Sequence, residues 1–210
     1  MDALPETLDD ERLRLGVAAL VAVDADLAGI VDRHGPPPLW AREPGFETLV
    51  RIILEQQVSL ASAEAARGRL VAAAGAVEPG AIVHVGEGAL RDAGLTRQKA
   101  RYIVALARDI LDQRLDLAAI EDASDADAHA TLTGVLGVGR WSADIYLLMA
   151  LRRPDIWPTG DIALASAMRR AKGLGATPET HEQLVIAEPW RPWRAVAARL
   201  LWHAYLAGER

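Results

Sequence analysis

The 210-residue chain carries 29 acids against 23 Lys and Arg, a formal charge of −6, and is 51% hydrophobic with no Cys. The missing Cys excludes disulfides, thiolate zinc sites and cysteine-held iron–sulfur clusters. The five His show no paired metal spacing, no apolar run reaches membrane-spanning length, and the acidic start (Asp2, Glu6, Asp9, Asp10, Glu11) is no signal peptide, so a soluble cytoplasmic protein is expected.

The length suits one compact unit or two small lobes. An Ala- and Leu-rich composition without period-two alternation points to an all-α fold. Residues 8–24 and 25–34 read as two helices, the second stopped by Gly35 and Pro36-Pro37-Pro38. Phe46, Leu49, Ile52 and Ile53 share one face of the next helix. Ser59 is a candidate N-cap for a helix over 60–74, and short helices are predicted at 78–84 and 86–92. Thr96 caps a helix that carries Tyr102, Ile103, Leu106, Ile110 and Leu111. The stretch EDASDADAHA is a polar loop or the start of a helix leading to Leu132. Further helices are predicted from Arg140 to about Leu151, from Asp161 to about Lys172, near 178–185, and over about 191–207.

The acidic balance argues against nucleic acid at first sight, because duplex affinity comes largely from basic residues on phosphates. The distribution softens this: residues 1–44 hold nine acids against four bases, so the rest is nearly neutral at −1. Bases gather there at Arg97-Lys99-Arg101, Arg140, Arg152-Arg153 and Arg169-Arg170-Lys172. They form either a basic face or ordinary solvated helix faces.

Leu136-Gly137-Val138-Gly139 opens directly into the helix at Arg140. Two glycines permit a tight turn and let a phosphate approach the main chain, with helix-start amides and the dipole facing it. The same turn could be a plain helix–helix connection. Asp161 follows behind Trp157-Pro158-Thr159-Gly160; it is either an N-cap or a carboxylate that stabilises a cation, and the roles are compatible. Six of the ten aromatic residues are Trp, with Trp141 directly after the turn and Trp157 four residues before Asp161. Extruded bases stack on such rings, although Trp also fills cores. Glu55-Gln56-Gln57-Val58-Ser59 is either a capped corner or a turn whose side chain fills the gap left by an extruded base.

Together these residues resemble the helix-hairpin-helix DNA glycosylase superfamily over about residues 45–205. The hairpin is similar to the stretch 136–143, and the family aspartate falls on Asp161. The branch matched most closely is 3-methyladenine DNA glycosylase II. Trp141 stands where lyase members place a Lys nucleophile, and the final stretch PWRPWRAVAARLLWHAY is similar to that branch's last helix.

The resemblance implies two helical lobes with a DNA-binding cleft between them and no N-terminal β domain. One glycosylase unit would span 1–210, with lobe A at about 45–152, containing the hairpin at 133–151, and lobe B at about 1–44 plus 153–210. It implies a monofunctional alkylated-base glycosylase with Asp161 as the catalytic carboxylate. Trp141, Ile145 and Trp202 would form the base pocket, Gln57 would intercalate, and Gly137, Gly139 and Arg140 would bind phosphate. A monovalent Na+ or K+ would sit on the carbonyls of Thr133, Val135 and Val138, with no other cofactor. The partner would be damaged double-stranded DNA, met by a monomer that is nucleoid-associated when acting. The sequence departs from the branch's best-known bacterial member at two places: Ile145 replaces a pocket Tyr, with Tyr146 beside it, and Gln57 replaces an apolar wedge. Alternatives are a glycosylase for another lesion class or a non-catalytic DNA-binding module.

Overall fold

The computed structural model describes residues 7–208, so Asp2 and Glu6 of the acidic start lie outside the described residues. Among these residues there is no strand, and the fold is all-α. The chain divides into two compact units, one of residues 42–146 and the other of residues 7–41 with 147–208.

The first unit holds α3 (Phe46–Glu55), α4 (Leu60–Ala74), α5 (Pro79–Asp92), α6 (Arg97–Leu111), α7 (Leu117–Glu121), α8 (Asp125–Thr133) and α9 (Arg140–Ile145). Short polar side chains start most of these helices: Ser59 accepts from the Ser62 amide, Thr96 from Lys99, Asp116 from Ala118 and Ser124 from Asp127. Each such cap satisfies an amide that the helix cannot, worth about 1 kcal/mol. α3 is the centre of the unit, with Leu49, Val50, Ile52, Ile53 and Leu54 all buried. It packs on α4, α6 and α9. The two short helices predicted at 78–84 and 86–92 are both present within α5, separated at Gly86, whose φ of 71° and ψ of 175° are not helical. The stretch EDASDADAHA supplies the Ser124 cap and starts α8, while α7 had no periodic signal in so short a run.

The second unit holds α1 (Asp10–Val23), α2 (Ala25–His34), α10 (Ile162–Ala171), α11 (Thr180–Ala187) and α12 (Arg194–Leu206). α12 is its core: Val196, Leu200, Leu201 and Ala197 are fully buried, and α1, α2 and α10 pack on it. Gly16 lets α1 lie close, since a Cβ there would sit 2.8 Å from the Trp193 ring.

The helix predicted from Arg140 to Leu151 is α only as far as Ile145, and Tyr146–Ala150 form a π-turn. A wider turn releases carbonyls from the α ladder. In the second unit Arg199 uses one of them: its Nη2 donates to Leu148 O at 2.8 Å. Its Nε donates to Leu39 O at 2.8 Å and its Nη1 to Ala195 O at 3.0 Å. Burial pushes this guanidinium down to about 9.

Asp24 joins α1 to α2 and collects charge partners. Its carboxylate accepts from Lys172 Nζ at 2.6 and 2.7 Å, from Trp190 Nε1 at 2.7 Å and from the Leu27 amide at 3.2 Å. Burial alone would raise its pKa, but the bonds from Lys172, Trp190 and Leu27 outweigh burial and hold it below its ordinary 3.8. For Lys172 burial works downward, yet the bonds to Asp24 and Asp26 hold it above 10.5. A depressed carboxylate stabilises the fold above pH 3.8 and loses that contribution as pH falls. A raised ammonium contributes below pH 10.5 and loses its share as pH rises through the folded value. Lys172→Met is therefore expected to cost about 2 kcal/mol near pH 7, as loss of charged hydrogen bonds does. The penalty should shrink towards both pH extremes, which urea unfolding of the two proteins across pH checks.

Candidate active site

In the second unit the chain approaches Asp161 through a buried run, Ile156, Trp157, Pro158 and Thr159. It then turns at Gly160, whose φ of 83° is costly for any residue with a Cβ. Asp161 is the N-cap of α10: its Oδ1 accepts from the Leu164 amide at 2.7 Å. The same oxygen accepts from Trp202 Nε1 of α12 at 3.3 Å. Cap and indole together fix the plane of a carboxylate that is only half-buried. Directly after it, Ile162 is 84% exposed. A pocket of about 610 Å³ opens beside it, lined among others by Ala165, Pro178, Thr180, Gln183 and Leu184.

Trp202 is therefore at the carboxylate, whereas Trp157 is not at its surface. Trp157 is 4% exposed and packs on Trp190, with ring centroids 5.7 Å apart. Although only four residues from Asp161 in sequence, this ring fills the core.

In the first unit α8 and α9 are joined by the predicted turn. Val135 and Val138 anchor it as buried side chains, and Val138 N donates to Val135 O at 3.0 Å. The two glycines are not equivalent. Gly137 has a φ of 88°, and a Cβ on it would stand 2.3 Å from the Tyr102 ring. Gly139 has an ordinary φ of −86°, and nothing lies within 4 Å of its would-be Cβ. Gly137 thus builds the turn, and Gly139 leaves the start of α9 bare. No side chain caps α9, and Gly139 and Arg140 are exposed. Trp141 is half-buried one residue on. Ile145 is 3% exposed, and Tyr146 is wholly buried with its hydroxyl accepting from the Gly45 amide at 2.9 Å. Burial pushes that phenol up to about 12.

Gln57 is exposed between α3 and α4, with a φ of 57°. Its neighbours were missed in the sequence. Gln56 Nε2 donates to Gly137 O at 2.9 Å and to Ser142 Oγ at 2.8 Å. Lys99 Nζ donates to Leu54 O at 2.7 Å and to Gln56 O at 2.9 Å. Burial lowers the Lys99 pKa. The only sequence signal for this pair was two glutamines at a helix end, and nothing local pointed to Lys99 some forty residues on.

The basic clusters also change meaning. Lys99 serves carbonyls, Arg153 is 3% exposed, and Lys172 is held by Asp24. Arg97, Arg101, Arg140 and Arg170 remain exposed.

Residues 50–193 match the family described as HhH-GPD superfamily base excision DNA repair protein. The chain belongs to that superfamily. A Bacillus subtilis relative that bears a provisional 3-methyladenine glycosylase name is 27% identical over 186 residues, covering 85% of this chain and 65% of its own. A Mycobacterium tuberculosis relative, provisionally named as a bifunctional transcriptional activator and DNA repair enzyme, is 33% identical over 222 residues. That match covers 93% of this chain and 44% of the relative, so the chain spans less than two thirds of either protein. The solved DNA-3-methyladenine glycosidase of Bacillus halodurans is 29% identical, with a TM-score of 0.76, 90% of this chain covered and 88% of that one. The match takes in the whole stretch from the Gly137 turn through Asp161.

Gly137→Ala and Gly139→Ala should separate the two glycine roles. The first should unfold or rearrange the hairpin, lowering the melting temperature by several degrees, because an Ala there is both strained and in collision with Tyr102. The second should leave melting nearly unchanged while weakening duplex binding several-fold in a salt titration.

Proposed function

We propose that this protein is a monofunctional DNA glycosylase that extrudes alkylated, 3-methyladenine-type bases from duplex DNA and hydrolyses their N-glycosidic bond. The observation that carries the reading is Asp161: a half-buried carboxylate at a helix start, oriented by Trp202 and the Leu164 amide. Membership in a base excision repair superfamily supports it, as does the likeness to the Bacillus glycosidase.

The chemistry follows from charge. An N-alkylated purine is already cationic, so it leaves as a neutral base without an acid to protonate it. The sugar develops oxocarbenium character as C1′–N breaks, as in glycoside hydrolysis generally. Asp161 stabilises that charge through space in a site partly shielded from water. Water then adds its oxygen to C1′ and releases a proton, giving an abasic site and a free base. Trp141 in place of a Lys leaves no amine in the hairpin to form a Schiff base. Trp141, Ile145 and Trp202 would serve as base-pocket residues, the two indoles suiting a flat cationic base, and Gln57 would fill the gap in the stack. Cation–π contact adds about 0.5–2 kcal/mol for such a base.

Phosphates are held by the bare amides after Gly139, by the Gly137 turn and by Arg140. A monovalent cation fits the same hairpin. Val135 O is engaged by Val138 N, while the carbonyls of Thr133 and Val138 take no turn hydrogen bond among the described residues. The neutral carbonyl oxygens of Thr133, Val135 and Val138 would hold Na+ or K+, which would supply positive charge for a phosphate. The protein would work as a monomer on damaged double-stranded DNA. Among the described residues no helix is long and apolar enough to cross a membrane.

Asp161→Asn should lower base release from methylated duplex by about 10²–10³-fold, the usual cost of removing one electrostatic stabiliser. Binding to an abasic-site duplex should change little. Products of the wild type should be alkali-labile abasic sites, with no adduct trapped by borohydride. Release of 3-methyladenine by the Asn variant at the wild-type rate would refute the assignment.

A further inference from the structure

The Gln57 turn lies at the junction of two clamps, both within the first unit. From one side the Gln56 side chain reaches the hairpin, donating at once to Gly137 O and Ser142 Oγ at 2.9 and 2.8 Å. From the other side Lys99 of α6 donates to Leu54 O and Gln56 O, capping the C-terminal end of α3 at 2.7 and 2.9 Å. The peptide between the clamps carries Gln57 with a φ of 57°, which an L-residue holds only against about 1–2 kcal/mol of strain. Gln57 itself is exposed, and among the described residues no hydrogen bond from its own side chain fixes it. Its conformation is thus set by its neighbours.

We propose that Gln56 and Lys99 are positioning residues that lock the Gln57 turn to the hairpin, so that phosphate grip and insertion of Gln57 occur as one rigid contact. The inference rests on the reading of Gln57 as the group that enters the duplex. Its physical basis stands apart from that reading, because two hydrogen bonds tie the turn after α3 to the hairpin and two more tie the end of α3 to α6. Gln56 uses both protons of its amide on the hairpin, one on the carbonyl of the positive-φ glycine. A shift of the hairpin under DNA load therefore pulls directly on the residue before Gln57. Lys99 opposes that pull at the carbonyl of the same residue. Each clamp is charged or bidentate, which resists lateral slip better than a single neutral bond does.

The test uses Gln56→Met, which keeps length but removes the donors, and Lys99→Met. Ser142→Ala removes one acceptor only and serves if the first two variants fold poorly. The readouts are amide hydrogen exchange over 56–59 and 137–142, single-turnover base release, and fluorescence of 2-aminopurine beside a tetrahydrofuran abasic analogue. Gln56→Met should speed exchange in both stretches by about tenfold or more. It should slow base release about tenfold and reduce the 2-aminopurine signal, with affinity for undamaged duplex within about twofold. In a Gln57→Ala background the same change should cost under about twofold further, since it acts through Gln57. Unchanged exchange in both stretches, or losses that multiply in the double variant, would overturn the proposal. If the wild type released no base at all, the glycosylase reading would fail, while the exchange measurement would still decide whether the clamps lock the turn.

Discussion

Arg199 is the constraint on which the second unit depends. A guanidinium with no carboxylate is buried in the core and satisfied by the carbonyls of Leu39, Leu148 and Ala195. Removing a charge from water is costly, and that cost is met only if every donor has an acceptor in place. Two stretches of chain must therefore converge on α12, the segment after the triple proline and the π-turn, while the first turn of α12 itself supplies the third carbonyl. The π-turn is intelligible in this light, because an α-helix continued through Leu148 would retain the carbonyl that Arg199 requires. Trp202 lies three residues further along α12, close to the same face. The position of the indole against Asp161 thus follows from the way a single arginine pins its helix.

In the proposed function the carboxylate at that end serves two demands that usually conflict. A cap must be held tightly by amides, and a catalytic anion must keep charge to offer. Asp161 reconciles them by taking the Leu164 amide and the Trp202 indole on one oxygen. Both donors orient the group and neither is cationic, so its charge is not cancelled by an ion pair with either. Asp24 shows the contrast within the same unit. It too begins a helix and accepts a Trp indole, but Lys172 neutralises it, and it is purely structural. Cap, indole and burial are shared by the two aspartates. Asp24 differs in carrying the Lys172 ammonium as well.

Much of this was legible in the sequence where local chemistry dominates. Ser59, Thr96 and Asp161 announced themselves as caps, and each is one, because a short side chain bonding two or three residues ahead needs no tertiary help. The Gly137 turn was legible for the same reason. Features set by distant packing were hidden. Trp157 and Trp202 look alike in sequence, yet one turns into the core against Trp190 and the other meets Asp161, a difference decided by residues more than thirty positions away. Lys99 sat in what read as a basic cluster and instead caps α3, as only the packing of α6 beside α3 could reveal. The π-turn left no mark either, since its apolar run satisfies α and π periods equally over five residues.

The acidic net charge, an objection to nucleic acid at first reading, loses force for a related reason. Charge matters to a phosphate only where it is exposed and unspent. Lys172 and Lys99 are consumed by internal acceptors, and Asp24 is likewise consumed by Lys172. Asp155 is taken by Arg191 and Arg194, and Glu55 by Arg42 and Arg51. The formal count therefore overstates the field of either sign. What remains near the hairpin is Arg140 and a row of main-chain amides, which attract a phosphate at short range without making the protein basic. Under the proposed function, a chain built this way would grip a duplex by geometry at the turn more than by long-range attraction. That makes the alignment of hairpin, Gln56 and Gln57 more important than any further lysine on the surface.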